Sequence, residues 1–311
     1  MKAIRLHKRG GPEQLIFEEA PVPVPTLDEA RVVVHAAAIT PTELSWPESY
    51  QYPDGRERLP SIPAHEVSGI VEDVSPGTDG IAVGEAVYGL IDFPHDGCAA
   101  EYATVRTADL APKPRTIDHV HAAAVPLSAL TAWQAFFDHA KLEAGQRVLI
   151  HGAAGGVGSY AVQLARWKGA NIVATASMRH ATFLRELGVE EIIDYAERRF
   201  EETVKDIDVV FDTVGGDIPE RSWRVLKPGG VLVSIVPNPS HERAQSQGIR
   251  SVFFIVKPIR AQLIQIGELI DTGHVRPIVG EVLPLALARD AYERGLAGHN
   301  RGKFVLRVRK D

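Results

Sequence analysis

The chain has 311 residues, with 34 Lys and Arg against 40 Asp and Glu, a formal net charge of -6, and a single cysteine, Cys98. One cysteine excludes an internal disulfide, a CxxC redox pair, a four-cysteine zinc lobe and an iron–sulfur cluster, because each needs several thiols. The mild acidity argues against a protein that binds nucleic acid by neutralising phosphates, and the length predicts two domains with a large buried core.

The first 120 residues or so predict irregular antiparallel β structure. Short runs rich in β-branched residues, such as 31–35 and 70–74, are punctuated by Pro and Gly. Pro21, Pro23 and Pro25 form an extended connector that is hostile to a helix. The pattern is typical of an antiparallel sheet or barrel.

From about residue 119 the pattern changes to alternating helices and strands. A helix is predicted over 122–140, followed by strands at 146–151, 171–176, 191–194, 208–212 and 230–236, with helices at 157–168 and 179–187. Alternation with short links predicts a doubly wound parallel sheet with right-handed crossovers.

The last segment predicts a helix over 259–271, a strand over 280–284, a helix over 286–295 and a strand over 304–308. Because these elements are few and small, we expect them to complete the first domain. Residues 1–120 and 256–311 then form one domain and residues 121–255 the other. The basic residues near the end are expected at the solvated end of a strand: Arg301, Lys303, Arg307, Arg309 and Lys310.

A glycine-rich stretch, Gly152-Ala153-Ala154-Gly155-Gly156-Val157-Gly158, stands between a predicted strand and a predicted helix. In that context Gly155 lets backbone N–H groups approach a pyrophosphate, the helix N-terminus supplies partial positive charge, and Gly158 lets the helix pack closely on the strand. Ala153 occupies the place of the first glycine of the usual fingerprint. The alternative is a purely structural strand-to-helix turn.

The end of the second strand of this predicted sheet lacks the acid that an NAD site uses. A carboxylate about 20 residues beyond the glycines normally binds the ribose hydroxyls of NAD. Here that place holds Ser177, with Arg179 nearby. A hydroxyl and a guanidinium suit a 2′-phosphate, so the sequence favours NADP(H) over NAD(H). The alternative is that Arg179 merely starts an exposed helix.

Three further stretches, together with the glycine-rich one, carry a family resemblance: His65-Glu66-Val67-Ser68-Gly69-Ile70-Val71, 125–133 and Phe211-Asp212-Thr213-Val214-Gly215-Gly216. The chain resembles the medium-chain dehydrogenase/reductase superfamily over essentially its whole length. It is most similar to the zinc-free quinone oxidoreductase (zeta-crystallin-like) branch, which includes NADPH-dependent alkenal and enone reductases. The resemblance implies an α/β protein with a GroES-like β-barrel domain, a Rossmann domain, an active site in the cleft between them, and a homodimer.

The resemblance also implies which residues bind NADP(H). Thr131 is expected near the nicotinamide, with Phe253 to Val256 along its edge, and Ser177, Arg179 and Tyr195 around the 2′-phosphate. Tyr195 could equally be an aromatic side chain packed at a strand end. The loop after Asp212 is expected to line the dinucleotide groove, although Asp212 could instead only cap the next helix. Within 253–256 the expected contacts are Phe253, Phe254 and Val256. The other expected contacts are Ala154, Gly155, Gly156, Val157, Val214 and Lys303.

Three residues are candidates for the catalytic site. Relatives commonly carry Asn-Pro-x-Asp where this chain has Thr40-Pro41-Thr42-Glu43, so the orienting role of the asparagine would fall to Thr40. Tyr50 and Tyr52 lie in a loop where relatives place tyrosines at the mouth of the cleft, and a phenol can donate a hydrogen bond or a proton. The alternative is that this proline-rich loop is only a surface lid.

A catalytic zinc is not expected. Zinc alcohol dehydrogenases use the histidine that His65 matches, but catalytic zinc needs three protein ligands. The other ligand positions fall near Thr40 and Ser128, which bind zinc poorly, and Cys98 is far along the chain from both. We therefore expect no metal and a structural or cleft-lining His65.

The sequence thus predicts a zinc-independent NADPH-dependent oxidoreductase that transfers hydride to a quinone or an α,β-unsaturated carbonyl. The alternatives are a non-catalytic NADPH-binding sensor and, less favoured, a zinc alcohol dehydrogenase. No stretch approaches the ~20 apolar residues that span a bilayer, and the first residues lack the apolar core of a signal peptide. We expect a cytoplasmic protein with a small-molecule substrate and neither membrane nor nucleic acid as a partner.

Overall fold

The computed structural model describes residues 1–76, 80–237, 244, 246, 248–298 and 301–310. The chain divides into two compact units, one of Met1–Leu127 with Lys257–Asp311 and one of Ser128–Val256. The chain thus leaves the first unit after residue 127, seven residues later than the sequence pattern suggested, and returns at residue 257. We refer to the two as the first and the second unit.

The strands share the β-branched and alanine-rich composition that fits a pleated, half-buried surface. In the described residues they are β1 (Lys2–Leu6), β2 (Leu15–Glu19), β3 (Glu29–Ile39), β4 (Glu66–Val74), β5 (Ala86–Leu90), β6 (Tyr102–Arg106), β7 (Leu110–Pro112), β8 (Arg147–His151), β9 (Asn171–Ala176), β10 (Glu191–Asp194), β11 (Ile207–Asp212), β12 (Leu226–Ser234), β13 (Arg250–Phe253), β14 (Val279–Pro284) and β15 (Lys303–Arg307).

The helices are short, and one α-helix and three of the 3₁₀ turns begin at a proline, whose fixed φ suits the first turn. The described α-helices are α1 (His119–Ala123), α2 (Pro126–Trp133), α3 (Gly156–Lys168), α4 (Ala181–Glu186), α5 (Phe200–Thr203), α6 (Ile218–Ser222), α7 (Arg260–Asp271) and α8 (Ala288–Leu296). A π-helix, Gln134–Ala140, follows α2, and 3₁₀ turns include Pro41–Ser45, Pro47–Ser49 and Met178–His180. Within the described part of the chain, no helix combines the length and the apolar character needed to span a membrane.

The first unit contains a seven-stranded sheet in the order β14-β15-β3-β4-β5-β7, with β6 also paired to β3. All pairs are antiparallel except β14 with β15. The long strand β3 is the centre of this sheet, and its inward side chains, such as Val32 and Val34, belong to the main hydrophobic core. The C-terminal strands lie in this unit, where β15 pairs with β14 on one side and β3 on the other.

The second unit contains a six-stranded parallel sheet in the order β10-β9-β8-β11-β12-β13. In order along the chain this is 3-2-1-4-5-6, the doubly wound order of dinucleotide-binding sheets. The prediction of a doubly wound parallel sheet is confirmed. The strand order reverses between β8 and β11, and ligands of such sheets bind beyond the carboxyl ends of the strands at that point.

Two expectations about this region are wrong. The single helix expected over 122–140 is broken, because Pro126 disfavours a helical conformation at Val125, and the chain then passes from α2 into the π-helix. The strand expected over 230–236 starts earlier, at Leu226, despite the sequence Pro228-Gly229-Gly230. β12 pairs with β11 on one side and with β13 on the other.

Candidate active site

The turn between β8 and α3 is shaped by two glycines. Gly152 has φ of +71°, a conformation that side-chain-bearing residues rarely adopt, and it replaces the missing first glycine of the fingerprint one residue earlier than expected. A Cβ on Gly158 would lie 2.2 Å from the Gly152 carbonyl oxygen and 2.7 Å from the Ala153 Cα. Helix α3 therefore packs on this turn at a distance that only glycine permits.

The N-terminus of α3 offers unused backbone donors. Gly155 is the N-cap residue and has no side chain to satisfy the first-turn N–H groups. The expected contacts Gly155, Gly156 and Val157 are half-buried, and Ala154 is buried beneath them. Free N–H groups at the positive end of a 13-residue helix fit a pyrophosphate.

The loop after β11 lies beside this turn. Asp212 is buried, and its Oδ1 accepts hydrogen bonds from the N–H groups of Val214 (2.9 Å) and Gly215 (3.0 Å). Thr213 Oγ1 donates to the carbonyl of His151 at the end of β8 (2.8 Å). Helix α6 begins at Ile218 with Asp217 as its N-cap, so the alternative that Asp212 only caps this helix is wrong. Asp212 instead fixes the loop that carries Val214 next to the switch point.

The ends of β9 and β10 carry the residues expected around a 2′-phosphate. Ser177 is half-buried, Arg179 is exposed, and the Tyr195 side chain is 57% exposed, which is not the burial of a packed ring. In the described residues the Arg179 guanidinium makes no ion pair or hydrogen bond. Asp194 ends the neighbouring strand, where its Oδ1 accepts from the N–H of Ala196 (3.0 Å). No carboxylate occupies the end of β9 itself.

The residues expected near the nicotinamide differ in their burial. Thr131 is buried within α2. Phe253 ends β13, in register with Ser234, and its side chain is partly exposed. The Phe254 ring is buried against His139, with ring centroids 4.4 Å apart, so only its backbone is left to face a ligand. Val256 is half-buried at the end of the second unit.

His151, at the end of β8, is a structural residue that sequence reasoning did not single out. Its Nδ1 lies 3.0 Å from Thr175 Oγ1 and its Nε2 lies 3.1 Å from Ser222 Oγ. Burial lowers the pKa of His151 to about 3, with a further contribution from Arg221, so the ring is neutral. It links β8, β9 and α6 without charge.

The first unit contains a buried ion pair that the sequence pattern did not predict. Lys303, at the start of β15, is only 6% exposed, and its ammonium forms an ion pair with Glu66 Oε2. The same ammonium donates to Thr40 Oγ1 at 3.2 Å, and Glu66 Oε1 accepts from the N–H of Leu127 at 3.0 Å. The expectation that Lys303 belongs to a solvated strand end is wrong, because a buried cation needs the partner that Glu66 provides.

Glu43 lies beside this pair and is also buried. Its Oε1 accepts hydrogen bonds from the Tyr292 hydroxyl and the Thr40 N–H, and its Oε2 accepts from the N–H of Ala64 at 3.1 Å. Ala64 has φ of +66°, which is strained for alanine, so Glu43 holds the turn that precedes His65. Burial raises the pKa of Glu43 to about 7, and the hydrogen bonds only partly offset this effect.

His65 does not form a zinc site with its neighbours. Its Nε2 is 3.8 Å from Glu43 Oε2, too far for a hydrogen bond, and burial lowers its pKa to about 3. Cys98 Sγ lies against the carbonyl oxygens of Ala64 (3.1 Å) and Glu66 (3.2 Å), and burial raises the pKa of this thiol. In the described residues no three His, Cys, Asp or Glu side chains are placed to hold a metal. This donor set does not fit zinc, which needs thiolate, imidazole or carboxylate ligands free to coordinate it.

The two tyrosines of the loop after Pro47 have different environments. The Tyr50 side chain is buried; its hydroxyl contacts the carbonyl oxygens of Leu44 and Gly10 and accepts from the Gly10 N–H. Tyr52 is 39% exposed beneath the Arg56 guanidinium, 5.2 Å from the ring centroid. Tyr50 is thus engaged with the backbone, whereas Tyr52 is accessible to a ligand.

Arg58, which sequence reasoning also missed, joins the two loops around Tyr52. Its buried guanidinium donates to the carbonyl oxygens of Glu48, Phe93 and His95. Between these loops is an open surface cleft of about 440 Å³, lined by Pro47, Glu48, Gln51, Tyr52, Pro53, Gly55, Asp92, Phe93 and Pro94.

Known proteins share both units. A family model described as an alcohol dehydrogenase GroES-like domain matches residues 26–115, and one described as a zinc-binding dehydrogenase matches residues 187–306. A "probable zinc-binding oxidoreductase, mitochondrial" of Arthroderma benhamiae is 31% identical over 94% of this chain and 93% of its own length. A 2-methylene-furan-3-one reductase of Solanum lycopersicum is 31% identical over 93% of this chain and 74% of its own length.

A solved structure is also similar to this chain over its whole length. The quinone oxidoreductase of Coxiella burnetii matches with a TM-score of 0.92 and 32% identity, covering 99% of both chains. The chain therefore belongs to the medium-chain dehydrogenase/reductase superfamily, in its quinone oxidoreductase-like branch. The predicted α/β class with a GroES-like domain and a Rossmann-like parallel sheet is confirmed, and the protein is an oxidoreductase whose family implies a nicotinamide cofactor.

Proposed function

We propose that the protein is a zinc-independent, NADPH-dependent oxidoreductase that reduces a quinone or an α,β-unsaturated carbonyl. The observation that carries the cofactor choice is the end of β9, where Ser177 and Arg179, which is exposed and unpaired among the described residues, stand in place of the NAD-binding acid. A guanidinium binds a phosphate dianion with charge-assisted, bidentate hydrogen bonds. The same group gains nothing comparable from a ribose hydroxyl.

The turn at the N-terminus of α3 would hold the pyrophosphate of this cofactor. Gly158 keeps the helix close to β8, and the N-cap residue Gly155 has no side chain that could satisfy the first-turn N–H groups. When bound, the reduced nicotinamide supplies a hydride. The residues of the chain supply position and electrostatic complementarity, which is what proteins contribute in cofactor enzymes.

The acceptor class follows from the groups available to polarise it. Because the donor set around His65 does not fit zinc, activation of a carbonyl falls to hydrogen-bond donors such as the Thr40 hydroxyl. Electron-poor quinones and conjugated enones accept hydride with this weaker assistance, whereas a simple ketone gains more from a Lewis acid. The quinone oxidoreductase and 2-methylene-furan-3-one reductase names of similar proteins support the same class.

The cofactor proposal is tested by dissociation constants for NADPH and NADH in the wild type and in Arg179→Gln. We expect the wild type to prefer NADPH and the variant to lose about 10- to 100-fold in NADPH affinity, with NADH affinity unchanged. Arg185→Gln, on the exposed side of α4, is the matched control. Tighter binding of NADH by the wild type would refute NADPH dependence.

The acceptor proposal is tested by turnover of NADPH with 1,4-benzoquinone, a 2-alkenal and, as a contrast, ethanol oxidation. Reduction of a quinone or enone by metal-free protein supports the proposal. Stoichiometric NADPH binding without any turnover would indicate the sensor alternative, and zinc-dependent alcohol oxidation would indicate the alcohol dehydrogenase. The homodimer and the cytoplasmic location remain predictions.

A further inference from the structure

We propose that Lys303 and Glu66 are positioning residues, whose buried ion pair holds and polarises the Thr40 hydroxyl so that it donates a hydrogen bond to the acceptor oxygen. The inference rests on the proposed function, because it assigns roles within that hydride transfer. Lys303 then supports the catalytic site and does not bind the cofactor, which is the role that the family resemblance implied.

The direction of the hydrogen bonds carries the argument. An ammonium can only donate, so in the 3.2 Å contact with Lys303 Nζ the Thr40 Oγ1 is the acceptor. The single hydroxyl hydrogen of Thr40 is thereby directed elsewhere. Among the described residues this hydrogen has no acceptor, although Thr40 lies in a cluster with the buried side chains of Glu43, Glu66 and Lys303.

Accessibility distinguishes Thr40 from its neighbours. Glu43, Glu66 and Lys303 are all buried, whereas Thr40 is half-buried at the end of β3. The threonine hydroxyl is therefore the part of this cluster that a ligand can reach. A donor that already accepts from a buried cation is polarised, and in a site of low dielectric such a bond is stronger than in water.

Glu66 allows the Lys303 ammonium to be buried in the folded protein. A buried charge needs a counter-ion, and the Glu66 carboxylate beside the Lys303 ammonium provides it. The second oxygen of Glu66 is fixed by the Leu127 N–H, so the carboxylate cannot swing away from the lysine. Three distant parts of the chain thus determine the position of one hydroxyl.

A bound reduced nicotinamide would lose a hydride and be oxidised by two electrons, and the acceptor would gain that hydride and be reduced, with negative charge developing on its oxygen. Thr40 donates a hydrogen bond to that oxygen and keeps its own proton, and Lys303 transfers no proton. Water supplies the proton that completes the product. Donors preorganised at the position of developing charge stabilise the transition state more than the bound substrate.

The test uses Thr40→Val, Thr40→Ser and Lys303→Met in steady-state kinetics with the acceptor that the wild type reduces fastest. We expect Thr40→Val to lower kcat by about 100-fold, and Thr40→Ser to restore most of it. Lys303→Met should also lower kcat while the Kd of NADPH stays at the wild-type value. The double variant should be no slower than Thr40→Val alone, because the lysine acts through the threonine.

Two further variants distinguish the proposed loss of kcat from a loss of kcat that misfolding would cause. Lys303→Met removes the ammonium that pairs with Glu66, so Lys303→Met with Glu66→Gln, which removes both charges of this pair, must show the same kcat loss in a folded protein. Lys227→Met breaks a lysine ion pair with Asp208 in the second unit and should leave kcat unchanged.

The outcomes distinguish this inference from the proposed function. If the wild type turns over and Thr40→Val retains its kcat, the inference is wrong and the proposed function stands. If Lys303→Met raises the Kd of NADPH and retains kcat at saturation, the lysine binds the cofactor and the inference is again wrong. If the wild type binds NADPH but reduces no acceptor, both the inference and the proposed function are wrong.

Discussion

The hydroxyl of Tyr292 donates a hydrogen bond to the carboxylate of Glu43, a residue 249 positions earlier in the chain, and both side chains are buried. The contact joins α8 to the 3₁₀ turn that follows β3. It fixes the side chain that holds Ala64 in its strained conformation and lies beside the Thr40 backbone. The buried polar cluster of the first unit is thus built from both ends of the sequence.

This burial makes the stability of the protein depend on pH through Glu43. Its pKa is raised from 4.5 to about 7, so between these values the folded state keeps a proton that the unfolded state has lost. The contribution of this group to the free energy of unfolding therefore falls as pH rises through that window, by on the order of 3 kcal/mol. Glu43→Gln, which resembles the protonated carboxyl, should remove this dependence. Urea unfolding at about pH 5 and about pH 8 measures it.

The comparison that matters is the difference in unfolding free energy between variant and wild type. That difference should favour Glu43→Gln more strongly at the higher pH. An equal difference at both pH values would show that Glu43 does not titrate in this window.

The turn before α3 should tolerate a methyl group at one glycine and not at the other. Gly158→Ala places a Cβ 2.2 Å from a backbone oxygen that cannot move aside, whereas the nearest atom to a Cβ on Gly155 is 3.3 Å away. We expect Gly158→Ala to cost about 1–3 kcal/mol of stability and to weaken NADPH binding, because the helix is pushed off its strand. Cofactor titration checks the binding of NADPH by Gly158→Ala, and thermal unfolding checks the loss of stability, with Gly155→Ala as the milder control for stability. Equal effects of the two variants would contradict the prediction.

Arg58 should be important for the loops around the surface cleft. Arg58→Met leaves three backbone carbonyl oxygens, those of Glu48, Phe93 and His95, without their donor. Because buried hydrogen bonds to a charged group are costly to lose, we expect a loss of about 3 kcal/mol or more. Arg58→Lys should recover only part of it, since an ammonium lacks the planar fork of the guanidinium. Hydrogen exchange of residues 47–58 and 92–96 should speed up in both, and unchanged exchange would count against this role.

Substitution of the two loop tyrosines should have different effects on stability. Tyr50→Phe removes a hydroxyl that contacts the backbone at Leu44 and Gly10, so we expect a loss of about 1 kcal/mol in stability and an unchanged kcat. Tyr52→Phe removes an exposed hydroxyl and should leave stability unchanged. A lower kcat in Tyr52→Phe would show that the Tyr52 hydroxyl, and not water alone, supplies the proton of the product. A lower kcat in Tyr50→Phe would contradict the structural role given to that residue.

The sequence predicted the second unit well, because its evidence is local. The parallel sheet follows from alternating short strands and helices, and the glycines around Gly155 stand between one strand and the next helix. The failures there are also local in origin. Pro228-Gly229-Gly230 obscured the start of β12, and β13 was too short for its pairing with β12 to be read from composition.

The buried cluster of the first unit could not be predicted in the same way. Lys303 reads as one of five basic residues in a terminal run, and nothing near it in sequence reveals that Glu66 neutralises it. Glu43 likewise meets Tyr292 only because α8 returns to the first unit. Such contacts depend on three-dimensional proximity between distant segments, which hydrophobic periodicity and residue spacing do not encode.

The position of β15 in the first sheet has a consequence for biosynthesis. Phe304 pairs with Ile39 and Arg307 with Ala36, so this half of the edge of β3 lacks its native partner until the ribosome has synthesised residues 304–307. The second unit, in contrast, is one continuous segment and can begin to fold while translation continues. During that interval the open edge of β3 is a surface on which a nascent chain can pair wrongly or bind a chaperone.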